Sequence, residues 1–104
     1  MATVEVNVGN WRTTLTGGWV LIKDVKAPHV LEIGEFAVTE HNKEAKTELK
    51  FKSVVMGATE IVNGVKYLLV LAAMDGAVTK YYEAGVYESC MGYKKLTSFK
   101  HILG

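Results

Sequence analysis

The chain has a single cysteine, a single proline and almost no excess of charge: twelve basic residues against eleven acidic leave +1 over 104 residues. Each scarcity closes off a class of protein. A lone Cys90 makes neither an internal disulfide nor a cysteine metal cluster, so stability has to come from packing. Neither sign of charge runs for five or six residues together, which removes the electrostatic footprint of a nucleic-acid partner. The longest apolar runs, such as "YLLVLAAM" from Tyr67 to Met74, fall far short of the roughly 20 residues a spanning helix needs, so no membrane partner is expected. "MATVEVNVGNW" lacks the basic start and apolar middle of a signal peptide. A mature domain without its leader would look the same, so a cytoplasmic and a secreted location both stay open.

Against these absences stand 49% hydrophobic residues and ten glycines, the balance of one globular domain with one core. In residues 1–16, Val4, Val6 and Val8 alternate with polar residues, and Trp11 leads into "RTTLTGG". The alternation is that of a short strand, but the Thr- and Gly-rich sequel favours a mobile N-terminal segment ahead of a single domain over 17–104. "WVLIKDV" from Trp19 has the apolar density of a strand. Pro28 suits a first helical turn, where its missing N–H has no partner to lose. From there Val30, Ile33, Phe36, Ala37 and Ala45 recur at helical spacing, widened by Leu31 and Val38, and predict one amphipathic helix of about four turns. Gly34 inside that stripe points to close packing by another element. Glu40, Lys43 and Glu44 read as its solvated face.

After the helix the period changes to two. "ELKFKSVVMGA" puts Leu49, Phe51, Ser53 and Val55 on one side of a strand; "VKYLLVLAAM", "AVTKYYEAGVYES" and "KKLTSFKHI" follow as three more. Asp75-Gly76 is a tight-hairpin pair. The expectation is an α+β fold, one long helix packed on a four- to five-stranded antiparallel sheet. The hairpins near 57–65 and 89–93 then fall at one end, with Gly17 and Gly18 approaching the same edge. Chemistry is not in evidence: His29, His41 and His101 lack metal-ligand spacing, no local signature surrounds Cys90, and neither Gly-rich piece sits in a phosphate-cradling strand-to-helix turn. No catalytic residue, metal or cofactor is expected.

One stretch resists a bland reading. "GATEIVNGVKY" puts the apolar pair Ile61 and Val62 where the chain should reverse. An apolar tip facing water marks an interaction site, the alternative being that it folds back as core onto Tyr67.

"IGEFAVTEHN" from Ile33 to Asn42 resembles the helix signature of the plant cystatins, and "GGW" at 17–19, "YEAGVY" from Tyr81 and "LTSFK" from Leu96 are similar to that family's segments in the same order. The resemblance covers residues 17–102. It implies a cystatin-like fold and a reversible, non-covalent inhibitor of papain-like cysteine proteases, not an enzyme. It also implies a three-part binding edge: the glycine segment, a first hairpin reading Gln-x-Val-x-Gly and a second carrying Pro-Trp. Carried onto this chain, the edge is Gly17 and Gly18, then Glu60, Ile61, Val62, Asn63 and Gly64, then Cys90 and Met91. Glu60 stands where glutamine is expected, Cys90-Met91 replaces Pro-Trp, and the stretch from Tyr87 to Leu96 is one residue short. These departures imply a weak or narrowly selective inhibitor, the alternative being a cystatin-fold binding or scaffold protein. A monomer is expected, with exchange of the helix and first strand through "EIVNG" as a route to a dimer.

Overall fold

The computed structural model describes residues 3–103; the ends of the expected domain bounds, at 1, 2 and 104, lie outside the described residues. The elements are β1 (Thr3–Val8), β2 (Trp11–Thr16), β3 (Val20–Leu21), α1 (Pro28–Ala45), β4 (Lys50–Ile61), β5 (Gly64–Asp75), β6 (Val78–Ser89) and β7 (Lys94–Leu103). Strands β3 to β7 form one antiparallel sheet in chain order, and β1 pairs only with β2. The expected helix-on-sheet architecture is present, with five strands, within the four to five expected.

Helix α1 begins with Pro28 in its first turn and runs 18 residues, five turns rather than four. It buries Val30, Ile33, Gly34, Ala37 and Val38. Ala45, expected on the apolar stripe, is exposed because the helix ends there, past the sheet. Gly34 does what its place in the stripe suggested: a Cβ on it would lie 2.7 Å from Cε1 of Phe51 and 3.2 Å from Cγ2 of Val54, so β4 lies directly against the helix. Wholly buried Ile33 contributes about 2 to 3 kcal/mol by removal from water. The helix stops at Lys46, left-handed at φ 56, and Asn42 stitches its end to β4. The Asn42 Oδ1 accepts from the Leu49 N–H at 3.0 Å and the Thr47 hydroxyl at 2.8 Å, while Nδ2 donates to the Leu49 carbonyl at 2.9 Å.

Simple alternation fails in β4. Register shifts fall between Phe51 and Ser53 and between Val54 and Met56. Each bulge flips the side-chain parity. Val54, not Val55, therefore joins the core, and Val55 is 40% exposed. Ser53 pairs with Ala72 on the face away from the helix. "WVLIKDV" keeps only Val20–Leu21 as strand. The turn after β5 is Gly76-Ala77, bracketed by the pair Asp75 and Val78.

Residues 3–16, expected as a mobile lead-in, form a hairpin in which Val8 pairs with Trp11. Its position follows from three observations. Val6 is wholly buried. Val70 and Ala72 are buried too, yet they alternate along β5 with Leu69, Leu71 and Ala73 of the helix-side core, so they face the opposite side. A Cβ on Gly9 would lie 2.9 Å from Cδ1 of Leu103, which opposes Tyr81 on that same outer face. The hairpin lies across the outer face of the sheet.

Candidate functional site

At one end of the sheet β4 turns into β5 through Val62 and Asn63. Ile61 still pairs with Val65, the Val62 N–H donates to the Gly64 carbonyl at 3.0 Å, and both Asn63 (φ 48) and Gly64 (φ 132) are left-handed. At Gly64 only glycine fits, for two reasons. Its φ strains any side chain, and a Cβ would lie 2.5 Å from the Glu88 carbonyl oxygen and 2.7 Å from the Tyr87 hydroxyl. That hydroxyl donates to the Asn63 carbonyl, so β6 props the tip from beside it. Ile61 is 75% exposed and Val62 44%. Neither folds back onto Tyr67 as core.

Gly64 opposes Ser89, which sets the second tip next to the first. The Ser89 hydroxyl accepts from the N–H groups of Met91 at 3.2 Å and Tyr93 at 3.0 Å, and the Ser89 N–H donates to the Tyr93 carbonyl at 2.7 Å. Cys90 is left exposed and Met91 is 83% exposed. On the other side β3 pairs with β4 through Val20 and Thr59, bringing Gly18 close enough for its N–H to donate to Oε2 of Glu60 at 3.2 Å. Gly17, Gly18, Glu60, Ile61, Val62, Asn63, Gly64, Cys90 and Met91 are thus gathered at one end of the molecule.

Some residues here were not expected from the sequence. Tyr93, 75% exposed beside Met91, adds aromatic surface, and its place flanking the loop was the available signal. Tyr87 and Ser89 brace the tips. Behind them His29, at the start of α1, bridges two carboxylates: Nε2 to Glu88 at 2.8 Å and Nδ1 to Glu32 at 2.9 Å. Glu88 also accepts from the Tyr67 hydroxyl at 3.2 Å. The Glu88 hydrogen bond raises the His29 pKa against a desolvation that lowers it. Burial pushes Glu88 up, but the hydrogen bond and charge of His29 prevail and hold it low. Burial, then Glu88, pushes Tyr67 up to about 12. No sequence signal linked His29 to Glu88, 59 residues apart.

The other histidines lie elsewhere, His41 stacked on Phe99 at 3.9 Å and His101 tilted against Tyr82 at 5.3 Å. Among the described residues no three His, Cys, Asp or Glu side chains converge as a metal site would require. What the end of the sheet offers is shape and apolar surface.

One helix on a five-stranded antiparallel sheet, with two hairpin tips and a glycine segment at one end, is the cystatin-like architecture. The family model described as "SQAPI: Aspartic acid proteinase inhibitor" matches residues 22–102. Cysteine proteinase inhibitor 1 of Actinidia chinensis var. chinensis is 44% identical over 91% of this chain and 83% of its own length. Cysteine proteinase inhibitor 5 of Arabidopsis thaliana is 49% identical over 81% of this chain and 70% of its own, and Cystatin-1 of Zea mays 37% over 97% and 76%. The chain belongs to the plant cystatin family, whose members are proteinase inhibitors and not enzymes.

Proposed function

We propose that this protein is a reversible, non-covalent inhibitor of papain-like cysteine proteinases, and that the edge formed by Gly17-Gly18, Glu60 to Gly64 and Cys90-Met91 fills the active-site cleft. The observation that carries this reading is the outward-facing pair Ile61 (75% exposed) and Val62 (44% exposed) on a tip whose backbone is held by Gly64 and Tyr87. Apolar side chains held in water by a braced turn gain by burial in a partner. Because the tip is already ordered, docking loses little of the conformational freedom that usually erodes affinity. No covalent step is involved: a narrow turn occupies the cleft without presenting a scissile carbonyl to the catalytic thiolate. Where the family has Pro-Trp, Met91 and the neighbouring Tyr93 supply apolar surface, and the flexible thioether adapts to irregular pockets.

Titration of papain with the purified protein should give a stoichiometric loss of hydrolysis, with turnover restored on dilution. Val62→Asp should weaken inhibition by about thirtyfold or more, the size of a hot-spot loss, and shift the melting temperature little, because the side chain is outside the core. Undiminished inhibition by Val62→Asp would refute the wedge. Exchange of α1 and its flanking strand through the Glu60 to Gly64 hinge would consume the tip, so a dimer isolated by size exclusion should not inhibit.

The family model's description supports a second reading, inhibition of an aspartic proteinase. Pepsin assayed beside papain separates the two.

A further inference from the structure

We propose that Glu60 is a positioning residue: it acts on the bound proteinase through Gly18, holding the glycine segment against the first hairpin, and does not itself contact the partner. The proposal rests on the cleft-filling reading above and changes the part Glu60 plays in it.

The backbone ladder between β3 and β4 comprises only two pairs, Val20 with Thr59 and Leu21 with Ala58. Beyond Val20 the chain has no strand pairing to tie it to the sheet, although the segment that must meet the cleft, Gly17-Gly18, begins two residues further on. Trp19 lines a groove with Leu68 and Tyr87 of the sheet, and the Glu60 side chain supplies the hydrogen-bonded tie to the glycines. Its Oε2 accepts from the Gly18 N–H at 3.2 Å, and the same oxygen would lie 3.4 Å from a Cβ on Gly17 and 3.5 Å from one on Gly18. The carboxylate therefore lies along both glycines, within van der Waals reach of a Cβ at either position. Gly17 has φ +94, a left-handed angle that turns the chain between the hairpin over the outer face and this clamp. On the opposite flank Tyr87 does the equivalent for Asn63. Glycine segment, first tip and second tip are thereby joined side by side into one unit before any partner arrives.

With this geometry glutamate can do the work of the glutamine in the family motif. The contact uses only a side-chain oxygen as acceptor, which both residues own, and an ionised acceptor makes the stronger bond. Since the charge is committed to Gly18 within the edge, the substitution need not carry the penalty of an unpaired carboxylate buried at an interface.

The test is run on the full chain. Gly18 amide hydrogen exchange in the free protein should accelerate severalfold in Glu60→Ala and stay near wild type in Glu60→Gln, with the melting temperature of each variant recorded. Papain inhibition should weaken by up to about tenfold in Glu60→Ala, the worth of one hydrogen bond, and be largely restored in Glu60→Gln. Unchanged Gly18 exchange in Glu60→Ala overturns the clamp. So does a Glu60→Gln variant that keeps Gly18 protected yet loses as much inhibition as Glu60→Ala, since the carboxylate would then be a contact in its own right. Should Gly18 respond as expected while the wild-type chain leaves papain untouched, the clamp stands and the cleft-filling reading falls.

Discussion

Single residues decide the shape of the exposed tip, and Gly64 decides most. Its φ of 132 and the two oxygens within 2.7 Å of a would-be Cβ make it intolerant of any side chain. Gly64→Ala should therefore destabilise the fold by about 2 kcal/mol or more, the size of a strained backbone position, read in denaturant unfolding. It should weaken papain inhibition at the same time, because the Asn63 carbonyl would be pushed off the Tyr87 hydroxyl. A normal unfolding midpoint in Gly64→Ala would mean that the tip relaxes freely and is not braced. The motif made Gly64 legible in the sequence; Tyr87 was not, since nothing local shows that a tyrosine 23 residues later reaches back to the turn.

Elements meet at a charged joint. The start of α1 is tied to β6 through His29 and Glu88, with Tyr67 of β5 sharing the carboxylate. The raised pKa of His29 means that its contribution is fully present below its ordinary 6.5 and fades as pH rises through the higher folded value. The lowered pKa of Glu88 means that its contribution is present above its ordinary 4.5 and fades as pH falls through the lower folded value. Both are in force between those limits. The melting temperature should accordingly fall as pH is raised above 6.5 toward 8, and His29→Gln should flatten that fall. The effect will be modest, because the His29 side chain is half exposed and solvent screens the pair. A pH profile identical in wild type and His29→Gln would remove the joint from the account. The helix itself was legible in its apolar spacing, but β4 was not read correctly throughout: its two bulges moved Val54 inward and Val55 and Ser53 outward, and a bulge depends on the partner strand, which local periodicity does not contain.

At the scale of the whole molecule both faces of the sheet are packed and one end carries the two hairpin tips and the glycine segment. Helix α1 covers one face and the β1–β2 hairpin crosses the other, giving a radius of gyration of 13.1 Å, close to the ~13 Å of a compact chain of this length. The hairpin turns one face to the sheet: Val6 is buried at its centre, Val4, Val8, Trp11 and Leu15 are half-buried around it, and its turn meets Leu103. Val6→Asp would bury an unpaired carboxylate there. It should detach the hairpin while the helix-on-sheet core melts within a few degrees of wild type. The expected signs are new proteolytic cleavage between Thr16 and Trp19 and increased binding of an apolar dye to the uncovered face. Global unfolding of Val6→Asp would instead make the hairpin part of one cooperative unit with the core.

The sequence by itself determined the helix, the number and order of the long strands and the family, because apolar periodicity and turn residues are local and "IGEFAVTEHN" is contiguous. It also marked the apolar tip as unusual, since Ile61 and Val62 stand beside a glycine where polar residues belong. Only the tertiary structure decided which β4 residues face the core, where residues 3–16 go, and how Glu60, Tyr87 and His29 tie the elements together near the hairpin tips. Each of those depends on partners 14 or more residues away, and a contact made across the sheet leaves no periodic trace in the chain that makes it.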